Sequence, residues 1–266
     1  MASQIYKKFQ HLLQSSPPSS SLQAHSVRRS HSLPSRDHYI RTTITMAIQI
    51  YGIPVSVAVR RALVAFKELN VPYELIIVDA IKGENKSPEH VQFHPFGKIP
   101  YMRDPETGLA LYESRAMARY IVNKYDEDGK SGLIPHEAVA AAKFEQAAAV
   151  EITRYEPHVN RLAEELFYKP RLLQLETDDA VVTKSLAGLN QTLDVYDDIL
   201  SKQKYLAGDF VTLADLFHLP VGTLLTESVK LDVLTTDTRP NVQRWWKDIS
   251  SRPSWVVISG DRAPLA

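Results

Sequence analysis

Residues 48–61 read IQIYGIPVSVAVRR, and within this stretch a short β-rich run gives way to a helical pattern. Ile48 to Tyr51 has the composition of a strand, and Gly52-Ile53-Pro54-Val55-Ser56 reads as a turn. The stretch therefore predicts a strand that leads through a tight loop into a helix, with Ser56 at the helix start. Apolar residues then recur near helical spacing at Val59, Leu63, Phe66 and Leu69.

The residues that follow complete an α/β module. Val71-Pro72 stops the helix, and Tyr73 to Val78, apolar apart from Glu74, predicts a parallel strand buried on both faces. After a loose connection, residues 106–108 turn between two short β-rich runs, 101–103 and 109–112, which predicts an antiparallel hairpin. A helical pattern comes next. This βαβ-ββα order is the thioredoxin-like arrangement.

Composition excludes several classes of function. The 31 basic residues balance 31 acidic ones, so no overall field favours nucleic acid or an anionic membrane surface as a partner. The chain has no cysteine, which excludes disulfides, thiolate metal sites and a sulfur nucleophile of the protein's own. No apolar run approaches the roughly 20 residues that cross a bilayer. We therefore expect a soluble protein with no nucleic-acid partner, no membrane partner and no metal.

Residues 1–45 differ from the rest of the chain, being rich in Ser, Arg and His with Asp37 as the only acid. Such a segment does not pack into a core, and we interpret it as a disordered extension. Scarce acids together with several arginines and many serines also fit an organelle transit peptide. A third interpretation is a true start at Met46. We favour the disordered tail or the start at Met46, so the expected location is the cytoplasm, with the mitochondrion as the alternative.

A polar linker, residues 127–136, separates the α/β module, residues 46–126, from a helical part, residues 137–266. Ala138 to Leu166 is rich in strong helix formers. Thr212-Leu213-Ala214-Asp215 has the pattern of a capping box that opens a mostly apolar helix through Val221. The predicted architecture is a helical bundle, with two further apolar stripes on its helices: Leu186, Leu189, Leu193, Tyr196 and Leu200, and then Val242, Trp245, Trp246 and Ile249 on a last helix.

Five motifs occur in a fixed order along the chain. They are Gly52-x-Pro54-x-Ser56-x-x-x-Arg60-Arg61, Asn70-Val71-Pro72-Tyr73-Glu74, Phe96-Gly97-Lys98-Ile99-Pro100, Glu113-Ser114-Arg115-Ala116, and Tyr205-Leu206-Ala207-Gly208 running into the capping box. With them, the chain from Met46 onward resembles the cytosolic glutathione transferases, most of all the serine-type phi class of plants and fungi. The resemblance implies a thioredoxin-like domain that binds glutathione, a helical domain that lines an electrophile site, and a homodimer.

Ser56 is the candidate catalytic residue. A serine at a helix start can donate its hydroxyl proton to a glutathione sulfur held above it, and that bond lowers the thiol pKa from roughly 8.5. On its own Ser56 would be only a helix N-cap, and the downstream motifs favour the catalytic role. Tyr51 is the rival activator, because other classes of the family use a tyrosine near the end of the first strand. Its place within the strand predicts that it packs inward.

The resemblance also implies where glutathione binds. The bond between Ile99 and Pro100 would be cis, with the backbone before Pro100 holding the cysteinyl part. Ser114 and helix-start N–H groups would hold the γ-glutamyl carboxylate, and Glu113 the amine. From the residues alone, Pro100 is an ordinary trans proline, while Ser114 is an N-cap and Glu113 an acid that complements a helix dipole.

Lys86 and Lys98, with Asn85 beside them, are the candidates for the glycine carboxylate of glutathione. Here the chain departs from the plant pattern, which commonly has His in place of Asn85 and Gln in place of Lys98. Because Asn does not titrate as His does, the pH dependence of this contact will differ. Three arginines are predicted to donate structural or interface ion pairs: Arg60, Arg61 and Arg115.

The predicted reaction is conjugation of the glutathione thiolate to small hydrophobic electrophiles, and the same thiolate could reduce organic hydroperoxides. The alternative is a non-catalytic carrier of glutathione or of hydrophobic ligands, or a scaffold, since a fold does not determine function. Disulfide reduction would need a cysteine at the helix start. The candidate lining of the electrophile site, at a spacing that also suits a simple core, is Ile53, Val57, Phe144, Ala148, Ile152 and Tyr155.

Overall fold

A computed structural model describes residues 47–260, so the predictions for residues 1–45 and for a start at Met46 lie outside the described residues. The described residues form a mixed four-stranded sheet with helices packed against it, followed by an all-helical half. The predicted fold class, a thioredoxin-like α/β domain followed by a helical bundle, is confirmed. Among residues 47–260 there is no helix with the length and apolar character needed to cross a membrane.

The α/β half follows the predicted order of elements. The strand order is β2-β1-β3-β4, with β2 parallel to β1 and the other neighbours antiparallel. Its main elements are β1 (Ile48–Gly52), α1 (Val57–Glu68), β2 (Tyr73–Ile77), β3 (Tyr101–Arg103), β4 (Ala110–Tyr112) and α3 (Ser114–Tyr125).

The connection between β2 and β3 is more ordered than the sequence indicated. It contains a 3₁₀ turn, Glu84–Lys86, and a short helix, α2 (Pro88–Val91). The Ser87 hydroxyl oxygen accepts the backbone N–H of His90 at 3.2 Å, and Pro88 occupies the first turn, where its missing N–H costs nothing. This segment contacts the loop before β3 through side chains of Asn85, Lys86 and His90.

The prediction that β2 is buried on both faces is wrong. β2 lies at the edge of the sheet, and none of its residues is fully buried: Glu74 is exposed, Ile77 is 60% exposed, and the other three are half-buried. An apolar run alone does not distinguish an edge strand from a central one, because the position of a strand in the sheet depends on pairing with segments that are distant in the sequence.

One face of the sheet packs on α1 and α3. Gly52 makes this packing possible at the end of β1, because a Cβ there would lie 2.6 Å from Cγ2 of Val59. The main apolar residues of this layer are Ile48, Ile50, Val59, Ala62, Phe66, Met102, Met117 and Ile121. They belong to a single buried cluster that continues into the helical half.

The helical half begins after the loop that follows α3. Its helices are α4 (Ala138–Val150), α5 (Glu156–Ala163), α6 (Asp179–Lys202), α7 (Leu213–Leu216), α8 (Leu219–Thr223), α9 (Pro240–Ser250) and α10 (Pro253–Gly260), and wider π-helical turns cover Glu151–Tyr155, Glu164–Leu173 and Leu224–Val229. The predicted stripe on α6 is buried from Leu189 to Leu200, with Leu186 half-buried.

Two details of the helical half differ from prediction. The apolar helix expected to run from Thr212 through Val221 is divided at residues 217–218, so that α7 and α8 are separate. The helix that carries the two tryptophans is followed by α10, so it is not the last. The capping box itself is confirmed: the Thr212 side chain and the Asp215 carboxylate each pair with the other residue's backbone.

Candidate functional site

A single row of the sheet brings the predicted site motifs together. Tyr51 pairs with Tyr101, which in turn pairs with Tyr112. β1 ends one residue beyond this row, at Gly52, while β3 begins at it and β4 ends at it. The loops that follow β1 and β4 and the loop that precedes β3 therefore lie on the same side of the row. The adjoining residues on that side are Gly52, Pro100 and Glu113. The Ser56 loop, the proline loop and the start of α3 therefore lie at the same end of the strands.

Ser56 is the N-cap of α1. Its hydroxyl oxygen accepts the backbone N–H of Val59 at 3.4 Å, and its carbonyl accepts the N–H of Arg60 at 2.9 Å. The Arg60 side chain donates to the Pro54 carbonyl at 2.9 Å and braces the loop. The two interpretations of Ser56 are compatible, because capping uses a lone pair of the hydroxyl while donation to a thiolate uses its proton.

Tyr51 is half-buried and stacks on Tyr101 with ring centroids 4.3 Å apart. Its hydroxyl donates to the Gln49 side chain at 3.1 Å. Gln49 lies two residues back along β1, so the Tyr51 hydroxyl is directed away from the loop that carries Ser56. This geometry favours the packing role predicted for Tyr51.

The peptide bond between Ile99 and Pro100 is cis, as the resemblance implies. A Cβ on Gly52 would lie 3.7 Å from the Cβ atoms of both residues, so the proline loop abuts the end of β1. Lys98, just before this pair, has an exposed side chain. Its carbonyl oxygen lies 2.7 Å from Nε2 of the buried His90.

Ser114 and Glu113 occupy the start of α3 with different surroundings. Ser114 is buried, and its hydroxyl oxygen accepts a hydrogen bond from Nη1 of Arg61 at 3.3 Å. Glu113 is exposed and has φ 70° and ψ 107°, a conformation unusual for a residue with a side chain. Since Glu113 carries no capping bond at this helix start, its carboxylate is available to a ligand.

Arginines of the α/β half form ion pairs with glutamates of the helical half, as predicted for Arg61 and Arg115. Arg115 binds Glu151 through two hydrogen bonds of 2.7 and 2.8 Å, and both arginines contact Glu156. Burial alone would raise the pKa of Glu151, but the hydrogen bonds and charge of Arg115 outweigh it and hold that pKa below its usual value. The network therefore connects α1 and the start of α3, next to Ser114, with the helical half of the chain.

Asn85 and Lys86 are engaged with the proline loop itself. Nδ2 of Asn85 donates to the Gly97 carbonyl at 2.8 Å, and Nζ of Lys86 donates to the Phe96 carbonyl at 3.3 Å. Oδ1 of Asn85 is buried without a hydrogen-bond partner. Lys86 has further N–H groups for an anion, and Nδ2 of Asn85 has a second N–H beside the one that it donates to the loop.

The candidate lining residues separate into two groups. Phe144, Ala148 and Tyr155 are buried core residues, so they line no open site. Ile152 is 44% exposed, and Ile53 and Val57 are half-buried beside Ser56. Helical spacing could not separate these groups, because core and cavity walls have the same apolar character.

Sequence reasoning missed His90, which the structure places behind the proline loop. Its only local signal was the Ser87-Pro88 helix start three residues earlier, which fixes a short helix but says nothing about its neighbours in space. Within residues 47–260, no three His, Cys, Asp or Glu side chains are grouped in a way that could hold a metal ion.

Comparison with known proteins places this geometry in a family. The model described as "Glutathione S-transferase, N-terminal domain" matches residues 46–123, and the model described as "Glutathione S-transferase, C-terminal domain" matches residues 144–253. Glutathione S-transferase PM239X14 of Arabidopsis thaliana is 39% identical over 202 residues, which are 76% of this chain and 90% of that protein.

Solved structures agree with the sequence comparison. Glutathione transferase F2 from Populus trichocarpa aligns with a TM-score of 0.76 and 36% identity, over 80% of this chain and 97% of that chain. Maize glutathione S-transferase I, in complex with an atrazine glutathione conjugate, aligns with a TM-score of 0.73 and 33% identity, over 80% of this chain and 97% of that chain. The chain therefore belongs to the glutathione S-transferase family, in its phi class, and is a glutathione-conjugating enzyme.

Proposed function

We propose that Ser56 activates glutathione by donating its hydroxyl proton to the sulfur. The supporting observation is that the Ser56 oxygen already accepts the Val59 N–H, which leaves the hydroxyl proton as the group to offer a ligand. The start of α1 adds its partial positive charge. A bound thiolate is then stabilised relative to the thiol, and the nucleophile forms near neutral pH.

The remaining groups hold the tripeptide. Ser114 and the N–H groups at the start of α3 bind the γ-glutamyl carboxylate, and Glu113 binds its amine. The backbone of Ile99, before the cis Pro100, binds the cysteinyl part. The glycine carboxylate is left to the cations at the far end of the proline loop: Lys86 and Lys98, with Asn85 as a further donor.

Two substitutions separate capping from catalysis at Ser56. Ser56→Ala loses both the acceptor and the donor, whereas Ser56→Asp keeps an acceptor for the Val59 N–H but has no hydroxyl proton. Both variants should raise the pKa of the bound thiol, Ser56→Ala toward roughly 8.5 and Ser56→Asp further, because its carboxylate adds a like charge beside the sulfur. Once this pKa exceeds the assay pH, each further unit should lower the conjugation rate about tenfold. Ultraviolet absorbance of the bound thiolate against pH measures the first quantity, and turnover with a chloronitrobenzene the second.

Ser56→Asp should unfold in urea near the wild-type midpoint, since aspartate caps helices about as well as serine. Tyr51→Phe is the control for the rival activator and should change neither the thiol pKa nor turnover. Loss of thiolate in Tyr51→Phe together with wild-type behaviour of Ser56→Ala would overturn the assignment.

For the second substrate we propose small apolar electrophiles, with Ile53 and Val57 beside Ser56 and the exposed Ile152 of the helical half as candidate contacts. The maize neighbour carries an atrazine conjugate, which supports halogenated aromatic rings as a substrate class. Reduction of organic hydroperoxides by the same thiolate remains the second candidate activity. Parallel assays with halonitroarenes, isothiocyanates and cumene hydroperoxide decide between them. Tight glutathione binding without product in every assay would support the carrier alternative instead.

We also propose a homodimer, as the family resemblance implies. Phe96 at the tip of the proline loop is 66% exposed, and Val139 on the alanine-rich α4 is 63% exposed. Burial of two such side chains against a second copy would remove apolar area from water. We further propose a linker at residues 127–136 between the two domains, and a cytoplasmic location, which cell fractionation tests.

Phe96→Glu tests the dimer. The carboxylate should prevent burial of this position, so light scattering after size exclusion should report a single-chain mass where the wild type gives twice that mass. Phe210→Glu is the matched control, because Phe210 is 78% exposed on a different loop and should leave the mass unchanged. A wild-type protein that elutes as a single chain would refute the homodimer.

A further inference from the structure

Three consecutive carbonyls of the proline loop each accept a hydrogen bond from a side chain of the segment before it. Lys86 donates to Phe96, Asn85 to Gly97, and His90 contacts Lys98, at 3.3, 2.8 and 2.7 Å. Side chains of the 3₁₀ turn and of α2 thus hydrogen-bond to the backbone of the proline loop. Of these contacts, the one from His90 lies nearest to the Ile99–Pro100 bond and is the shortest.

The tautomer of His90 follows from its partner. A carbonyl oxygen only accepts hydrogen bonds, so Nε2 of His90 carries the proton that lies toward Lys98. The backbone N–H of His90 donates to the Ser87 hydroxyl oxygen at 3.2 Å, which also fixes the backbone from which the imidazole projects.

The ring of His90 also contacts the other end of the same loop. It packs edge-to-face on Tyr101, with centroids 4.8 Å apart, and Tyr101 follows Pro100 directly. Tyr101 in turn stacks on Tyr51 of β1. One buried imidazole therefore holds residues on both sides of the Ile99–Pro100 pair, by a hydrogen bond before it and by ring packing after it.

We propose that His90 is a positioning residue for glutathione, which fixes the Lys98 carbonyl and thereby the Ile99 backbone that receives the cysteinyl part of the tripeptide. This inference rests on the proposed function of the loop. His90 acts on binding and not on sulfur activation, because its contacts reach the loop backbone and not the start of α1. Its removal should weaken glutathione binding without altering the bound thiol.

His94 provides a matched control on the same segment. It is buried like His90, and its ring stacks on Tyr112 at 4.9 Å. Its Nδ1 is buried without a hydrogen-bond partner, so the chain holds two buried histidines four positions apart with different bonding. His94→Phe keeps a ring against Tyr112 and removes no hydrogen bond to the loop.

The experiment compares four variants of the full chain by calorimetric titration with glutathione. His90→Phe keeps the ring but loses the donor, so Kd should rise about 5- to 10-fold, the effect of one lost hydrogen bond. His90→Gln can place an amide N–H near the position of Nε2 and should restore Kd to within about twofold of wild type. His90→Asn is polar but too short and should resemble His90→Phe, while His94→Phe should stay near wild type.

Steady-state kinetics provide the second measurement. KM for glutathione should follow Kd in His90→Phe, while kcat at saturating glutathione and the pKa of the bound thiol stay at wild-type values. Should His90→Phe fail to fold, comparison of His90→Gln with His90→Asn still tests whether a side-chain N–H must reach the Lys98 carbonyl. Wild-type Kd in both His90→Phe and His90→Asn, or an equal loss in His94→Phe, would overturn the proposal. A wild-type chain that binds no glutathione would instead refute the proposed function.

Discussion

Glu113 shows a cost that the site imposes on the backbone. Its φ of 70° and ψ of 107° lie where a side chain is disfavoured, at a cost of about 1–3 kcal/mol. The same residue is the proposed partner of the γ-glutamyl amine. Because glycine adopts this conformation without that cost, the presence of glutamate here is consistent with selection for binding over stability.

Glu113→Gly should therefore raise the free energy of unfolding by about 1 kcal/mol and weaken glutathione binding at the same time. Urea unfolding and calorimetric titration measure the two effects on one preparation. Lys230→Gly is the control, since Lys230 has φ 68° outside the site and should gain stability without change in Kd. Stabilisation by neither substitution would show that the strain is small.

Asp215 determines how α7 begins and what lies against it. Its carboxylate accepts the backbone N–H groups of Thr212 and Leu206 and the indole N–H of Trp245, each at 2.9 Å. The side chain is fully buried. The capping box predicted from residues 212–215 is therefore also the junction between α7, the loop before it and α9.

Asp215→Asn should lower the free energy of unfolding by about 3 kcal/mol, because an amide N–H₂ group would meet donors that need acceptors. Equilibrium unfolding in urea gives the value. Asp198→Asn removes the partner of the exposed Lys202 and should cost under about 0.5 kcal/mol. Comparable losses in the two variants would contradict the role assigned to Asp215.

The core of the helical half contains a fully buried histidine, His218. His218 donates from Nδ1 to the Ala214 carbonyl at 2.9 Å, and Nε2 lies 3.1 Å from the Tyr196 hydroxyl. Burial lowers the pKa of His218 despite the opposing charges of Glu151 and Asp215. Burial lowers the pKa of His94 as well. Both side chains are therefore more easily protonated in the unfolded chain.

Stability should fall as the pH drops below about 6.5, because the unfolded chain then binds protons that the folded chain does not. Each such histidine contributes at most about 1.4 kcal/mol per pH unit. Urea unfolding between pH 7.5 and 5.5 tests this window, in which carboxylates with lowered pKa values, such as Glu151, stay ionised. His94→Phe should show a smaller decline that remains nonzero. Constant stability across the window in the wild type would contradict the prediction.

The sequence by itself determined the order of elements and the chemistry available at the site. Gly52 and Ser56 mark a strand-to-helix turn because glycine permits close packing and serine caps helices, both of which are local effects. The hairpin before α3 and the capping box at Thr212 are local in the same sense. Absence of cysteine, a matter of composition, required that any thiol be brought by a ligand.

Tertiary structure alone decided which of these residues meet. The edge position of β2, the burial of Phe144 and Tyr155, and the contact of His90 with the Lys98 carbonyl depend on neighbours that no local pattern encodes. The pairing of Tyr51 with Tyr101, and of Tyr101 with Tyr112, brings three distant motifs to the same end of the strands. Strand register and helix packing are set by the sum of many nonlocal contacts, so they emerge only when the whole core assembles.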